Sequence, residues 1–273
     1  MDPRDGFLQA NGLRFHYLEW GAADSPPLLL LHGFGNEAHI WDRFAPLVAE
    51  RYRVIALDSR GHGDTDHAGE YGDEHNVADF VAILEAFGIQ QLTLVGFSMG
   101  GGTSILFTSR QPERVRRLVI VDRGPETNPR GRERMARAVS QARDTFLNRE
   151  EALAYIRLAN PKRPEELVQA SLDHAFRAKP DGSYELKYDR KLRQGFGHRG
   201  TSADLWAAVE AISCPTLLVR GGDSDILAQD VAERMVQRMA NARLEVVPNA
   251  GHPVMTDNPP EFNRVVSAFL LED

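Results

Sequence analysis

The segment Gly96-Phe97-Ser98-Met99-Gly100 reads G-x-S-x-G, and its surroundings give the serine a chemical use. Leu92-Thr93-Leu94-Val95 before it is a short apolar run of strand type. Gly101 to Arg110 after it continues as a helix, with Ile105, Leu106 and Phe107 as its apolar residues. A serine on such a strand-to-helix turn is a nucleophile elbow. Glycines two positions to either side remove side chains that would collide with the neighbouring strand and helix, and the strained turn lifts the hydroxyl above the sheet edge. The helix N-terminus, with its unpaired N–H groups, then faces the carbonyl under attack. A serine hydroxyl is a poor nucleophile at neutral pH, so a base must take its proton; an imidazole can take it and return it to the leaving group. The attack creates an oxyanion, and backbone N–H donors aimed at it are worth about 3–4 kcal/mol each. By the mechanics of the motif those donors are Met99, after the serine, and Phe34, in His32-Gly33-Phe34-Gly35.

These residues need a scaffold, and the chain supplies the pattern of one. Phe7 to Trp20 alternates in polarity and is broken by Asn11-Gly12, which predicts a β-hairpin with a tight turn. Leu28-Leu29-Leu30-Leu31 is a continuous apolar run, the mark of a strand buried on both faces. A helix is expected from about Ala38 to Arg51, with Ile40, Trp41, Phe44, Leu47 and Val48 at helical spacing. Val54 to Asp58 is the next buried strand, followed by the turn-rich Ser59-Arg60-Gly61-His62-Gly63-Asp64. Val77 to Phe87 is helical and stops at Gly88, a C-cap residue. The elbow strand and its helix come next, then a strand from Val115 to Val121 that ends at Asp122.

Strands and helices thus alternate, which predicts an α/β fold: a mostly parallel sheet, antiparallel at its start, wrapped by helices. The pattern changes from about Gly124 to Ala203. That stretch is Arg-rich and helical in periodicity, is broken at Pro129, Pro161, Pro164 and Pro180, and holds no buried-strand run. It is expected to form an all-helical cap, residues 124–203, over the open edge of a core made of 1–123 and 204–273. Arg130, Arg132, Arg134 and Arg137 read as a solvated helix face rather than an anion site. Alternation resumes with the strand Pro215 to Arg220, a helix near Ala228 to Met239, the strand Leu244 to Val247 and a last helix from about Pro260 to Leu271.

Composition narrows the function classes. The chain has 273 residues, 42% hydrophobic and 26% charged, with a net charge of −7. That balance suits a soluble globular protein and argues against a nucleic-acid or anionic-membrane partner. The single cysteine, Cys214, excludes an intramolecular disulfide and any cysteine-based metal cluster. With no signal-peptide pattern and no apolar run near 18 residues, the expectation is a cytoplasmic protein. No dinucleotide or phosphate-binding glycine motif is present, so neither a cofactor nor a metal is implied.

Four features in order carry a resemblance: His32-Gly33-Phe34-Gly35 after a buried strand, Arg60-Gly61-His62-Gly63, the Gly96–Gly100 elbow, and Asn249-Ala250-Gly251-His252-Pro253 near the C-terminus. With them the chain resembles the α/β-hydrolase superfamily, in its serine-hydrolase, esterase-like branch, over nearly its whole length outside the cap. The resemblance implies a catalytic serine, Ser98, a late histidine, an acid, and a cap that supplies much of the substrate pocket. His252 is the base it implies, because Gly251-His252 follows a late strand. His62 is expected to be structural and His32 to orient its loop.

The acid is where the chain departs from the common pattern. In most of the superfamily it follows the strand that here is Leu217-Leu218-Val219, but an ungapped reading of Arg220-Gly221-Gly222-Asp223-Ser224-Asp225 puts Ser224 at that position. A one-residue shift would present Asp225. A subset of the superfamily carries its acid after the strand that follows the elbow helix, and Asp122 occupies that place. Asp122 is the preferred acid and Asp225 the alternative; its task is to hold the imidazole tautomer and balance the imidazolium. A serine at the elbow argues against the aspartate-dependent dehalogenases and epoxide hydrolases of the superfamily. The reading is hydrolysis of a carboxylic ester of a small to medium substrate through a Ser98 acyl-enzyme. The alternatives are a carbon–carbon hydrolase of a dienol-keto acid, which needs a cation for the substrate carboxylate, and a non-catalytic ligand-binding protein on the same scaffold.

Overall fold

Leu28, Leu29 and Leu30 have no solvent exposure, so the strand they form must be covered on both faces. The computed structural model, which describes residues 1–194 and 202–272, places that strand near the middle of an eight-stranded sheet. Its strands are β1 (Arg4–Ala10), β2 (Leu13–Trp20), β3 (Pro27–Leu31), β4 (Arg53–Leu57), β5 (Leu92–Phe97) and β6 (Val115–Val121), joined late in the chain by β10 (Thr216–Gly221) and β11 (Ala242–Val247). The insert between them carries β7 (Thr145–Phe146), β8 (Phe176–Ala178) and β9 (Tyr184–Leu186). The helices are α1 (Ala45–Val48), α2 (Asp73–Ala86), α3 (Met99–Arg110), α4 (Pro129–Ser140), α5 (Arg149–Ala159), α6 (Glu165–Ala175), α7 (Ser202–Glu210), α8 (Gln229–Arg238), α9 (Val254–Asp257) and α10 (Pro259–Leu270).

The sheet order is β1-β2-β4-β3-β5-β6-β10-β11. The β1–β2 and β2–β4 pairs are antiparallel, and every pair from β4 to β11 is parallel. Asn11 and Gly12 both have positive φ, 45° and 77°, as a two-residue hairpin turn requires. Alternate residues of each central strand enter different cores. Leu29, Leu31, Leu94 and Leu118 pack with α2, α3, α7 and α8, whereas Leu28, Leu30, Val95 and Val119 pack with α1 and α10. Each such leucine contributes about 1.5–3 kcal/mol by leaving water, which is why a one-residue slip of register is not tolerated.

Two expectations are corrected. The helix expected from Ala38 to Arg51 is broken into a 3₁₀ turn, Ala38–Trp41, and the single turn α1. Pro46 is the cause: it has no N–H to give to a carbonyl four residues back, so a helix cannot run through it. Leu47, counted on the apolar stripe, is consequently 53% exposed. The insert is not all-helical either. β7, β9 and β8 form a small antiparallel sheet, in that order, beneath α5 and α6. Phe146, Phe176, Leu153, Ile156, Val168 and Leu172 give the insert a hydrophobic core of its own. Strands of two or three residues are too short to show a period of two. The expected boundary at 203/204 falls inside α7, which packs on α3 of the core; the join between insert and α7 lies in residues 195–201, outside the described residues.

Candidate active site

β5 delivers the chain to Ser98, whose φ of 51° and ψ of −108° are a strained conformation for a residue with a side chain. Such a backbone costs about 1–3 kcal/mol and persists only when its surroundings fix it. Here Ser98 N–H donates to the Val121 carbonyl at 3.1 Å, and Gly100 N–H donates to the His32 carbonyl at 3.0 Å. A Cβ on Gly96 would stand 2.5 Å from the Gly100 carbonyl oxygen, and one on Gly100 would stand 2.5 Å from the Leu31 carbonyl oxygen. The two glycines of the motif are therefore steric necessities of the turn.

His252 sits in the loop after β11, its ring 4.9 Å from that of Phe97. Its Nε2 lies 2.9 Å from Ser98 Oγ and its Nδ1 lies 2.7 Å from Asp122 Oδ2. Asp122 has no solvent exposure and closes β6 with a φ of 46°. Its Oδ1 accepts the Gly221 N–H at 3.0 Å, and its Oδ2 also accepts the Ser224 hydroxyl at 2.5 Å. The direction of that last bond is settled locally. Ser224 Oγ accepts N–H bonds from Ile226 (3.1 Å) and Leu227 (3.3 Å), which leaves its own hydrogen for the carboxylate.

Asp225, the alternative acid, is not at His252. Its two carboxylate oxygens receive Arg134 Nε (2.5 Å) and Nη2 (2.8 Å), and that pairing holds its carboxyl below the usual range. Asp223 on the other side of Ser224 pairs with Lys162 at 2.5 Å. Arg134, expected on a solvated face, is thus a link between insert and core. Phe34 lies on the cavity wall with Ser98 and His252, and Met99 opens α3 directly after the serine, where helix geometry leaves its N–H without an intrahelical acceptor. His32 is fully buried; its Nε2 accepts the Ser59 N–H at 2.9 Å and its Nδ1 donates to the Gly33 carbonyl at 2.7 Å. Burial keeps it neutral by lowering its pKa, and it fixes the Phe34 loop. His62 is buried in its own loop, with Nδ1 3.0 Å from the Arg60 carbonyl.

Ser98 and His252 open on a cavity of about 420 Å³ between the core and the insert. Met135 and Val139 of α4, Ile156 of α5 and Leu167 of α6 give it an apolar roof. Polar groups that the sequence did not single out gather in its wall. Glu37 is buried, and that burial, with Asp58 nearby, pushes its carboxyl up to about 7. Arg163 donates to Ser171 Oγ at 2.7 Å and to Asn160 Oδ1 at 3.4 Å, while its Nε is buried without a hydrogen-bond partner. His39, Asp42 and His174 form the one cluster of metal-ligating side chains among the described residues. No local spacing could have found it, because His174 belongs to the insert and the other two to the core.

The chain belongs to the alpha/beta hydrolase fold family, whose model matches residues 26–259. An esterase of Mycobacterium tuberculosis is 29% identical over 260 residues, covering 93% of this chain and 85% of that protein. The 2-hydroxy-6-oxononadienedioate/2-hydroxy-6-oxononatrienedioate hydrolase of Burkholderia vietnamiensis is 30% identical over 272 residues, covering 94% and 91%. The crystal structure of an alpha/beta hydrolase from Novosphingobium aromaticivorans superposes with a TM-score of 0.87 over 98% of each chain, at 26% identity. The esterase and the dioate hydrolase differ in substrate but are both hydrolases by name, and hydrolase is the class in which this chain stands. Among the described residues no helix is long and apolar enough to cross a membrane.

Proposed function

We propose that the protein is a serine hydrolase that cleaves a carboxylic ester of a small to medium, largely apolar acyl group. The observation that carries this reading is the unbroken relay from Ser98 Oγ through His252 to Asp122, at 2.9 and 2.7 Å, opening on a cavity with an apolar roof. In this mechanism Ser98 Oγ attacks the ester carbonyl carbon while His252 Nε2 takes its proton. The oxyanion is held by the Met99 and Phe34 amides. As the tetrahedral intermediate collapses, His252 gives the proton to the leaving alcohol, and a water activated by the same imidazole then releases the acid and restores Ser98. Asp122 keeps His252 Nδ1 protonated and balances the imidazolium; with three donors on its own oxygens it cannot swing away.

A second reading, hydrolysis of a carbon–carbon bond in a dienol-keto acid, is favoured by Arg163. A guanidinium in the cavity wall suits a substrate carboxylate. A panel of p-nitrophenyl esters of rising chain length, run beside a ring-fission product, separates the two, with Ser98→Ala as control. Preferred turnover of esters supports the first reading, and preferred turnover of the carboxylate-bearing dienol supports the second. Turnover of neither, with Ser98 intact, overturns both in favour of a binding protein.

A further inference from the structure

The cavity wall contains a group of side chains that the hydrolytic chemistry does not use. His39 lies on the 3₁₀ turn of the core, Asp42 directly follows that turn, and His174 lies in the last turn of α6 in the insert. The two imidazoles are stacked across the core–insert boundary, with ring centroids 3.5 Å apart and planes 17° apart. All three residues line the cavity. One donor atom from each lies within 4.8 Å of the others. Separately, Asp42 Oδ1 is buried without a hydrogen-bond partner, although Asp42 Oδ2 is 2.9 Å from His39 Nδ1. A buried carboxylate oxygen left unpaired is costly, about 1–3 kcal/mol, and a cation beside it removes that cost.

We propose that His39, Asp42 and His174 form a site for a divalent transition-metal ion such as Zn²⁺, which ties α6 of the insert to the core across the wall of the cavity. Two imidazoles and one carboxylate suit borderline ions of the zinc and cobalt type, whereas magnesium and calcium select oxygen donors. A tetrahedral shell with bonds of about 2.1 Å separates its ligand atoms by about 3.4 Å, so on binding the three donors close by about an ångström and the two imidazoles tilt out of their stack to aim their in-plane lone pairs at one ion. Two supports are already rigid. The Asp42 N–H donates to the His39 carbonyl at 3.1 Å, and the His39 N–H donates to Glu37 Oε2 at 2.6 Å, which fixes the turn bearing two of the ligands. A four-coordinate ion held by three side chains keeps its fourth position for water or a ligand heteroatom. Arg43 and Glu166 from the same two segments form an exposed ion pair of 2.6 Å beside the cluster.

The test is metal binding to the full chain, independent of turnover. Calorimetric titration with ZnCl₂ is expected to show one site in the wild type, and CoCl₂ to produce the visible absorption of a nitrogen-ligated ion. His39→Ala and His174→Ala are each expected to weaken zinc binding by about 10- to 100-fold, while His252→Ala retains it. MgCl₂ in excess is expected not to compete. Zinc should also raise the melting temperature of the wild type and not of His174→Ala, since only the former is cross-linked. If either alanine variant folds poorly, His174→Gln keeps the bulk of the ring and removes one nitrogen ligand. Wild-type zinc affinity in the His39 and His174 variants overturns the assignment. So does loss of the site in His252→Ala, or failure of the wild type to bind zinc below millimolar concentration.

Discussion

Ser224 donates its hydroxyl to Asp122 at 2.5 Å, so the residue that stands at the expected acid position hydrogen-bonds the carboxylate that lies against His252. The two strand ends, of β6 and β10, are adjacent in the sheet. Ser224→Ala removes one of three donors to Asp122 and leaves the Ile226 and Leu227 amides without their acceptor. The expected result is a loss of about 1–3 kcal/mol in stability and a fall in kcat of about tenfold, read by denaturant melts and ester turnover.

The same adjacency predicts a rescue. Asp122→Asn alone should lower kcat by about 10⁴-fold, because an amide cannot hold the imidazole tautomer or balance its charge. Adding Ser224→Asp to Asp122→Asn should restore at least tenfold of that loss by moving the carboxylate to the neighbouring strand. A double variant no faster than Asp122→Asn would show that the second position cannot address His252.

Asp225→Asn should cost less than about tenfold in kcat, since its carboxylate serves Arg134. The pair is 38% exposed on the aspartate side, and such surface pairs contribute about 0–1 kcal/mol. Rate measurements on the two asparagine variants side by side decide the ranking; an Asp225→Asn variant as slow as Asp122→Asn would reverse it.

Ser98→Ala should abolish turnover, leaving less than about a thousandth of wild-type activity on the best ester, with the fold retained. Circular dichroism and a melting curve check the fold, and ester turnover checks the loss.

Glu37 gives a pH dependence of stability with a definite sign. Its folded pKa, about 7, is above the ordinary 4.5, because burial and then Asp58 disfavour the carboxylate. The folded state therefore binds a proton that the unfolded state has released, so the group's penalty is absent below pH 4.5. The penalty grows between 4.5 and 7 and is complete above. Glu37→Gln keeps an oxygen for the His39 N–H and removes the titration. It should stabilise the protein above pH 7 by up to about 3 kcal/mol and change little near pH 4.5. Denaturant melts at pH 5 and pH 8 read the difference; equal effects at both would place the carboxyl's titration elsewhere.

Some of this architecture was legible because single residues marked it. Val115 to Val121 is a strand from end to end as expected, an apolar run closed by Asp122, and Gly88, at φ 68°, stops α2 where a left-handed residue must stand. The elbow was legible for the same reason: two glycines and one serine leave little choice of turn. At Ala38 to Val48 the apolar stripe points to one helix, but Pro46 within it is the stronger signal and starts a separate turn. The insert's strands have no sequence signature at their length. In the site, Ser98 and His252 could be named from their neighbours. The choice between Asp122 and Asp225 depended on which loop the insert had already engaged, and the meeting of His39 with His174 depended on how the insert lies on the core. Neither is written in local spacing.

The loop after β10 has three consecutive side chains with three attachments. Asp223 holds Lys162 and Asp225 holds Arg134, both in the insert, while Ser224 between them holds Asp122. The carboxylate at His252 comes from Asp122 after β6 and not from this loop. The loop is instead a rein: its outer two residues are tied to the roof of the cavity and its middle one to the floor. The two outer attachments are surface pairs worth about 0–1 kcal/mol each, whereas the middle one is a buried bond, so the loop belongs to the floor and touches the roof only lightly.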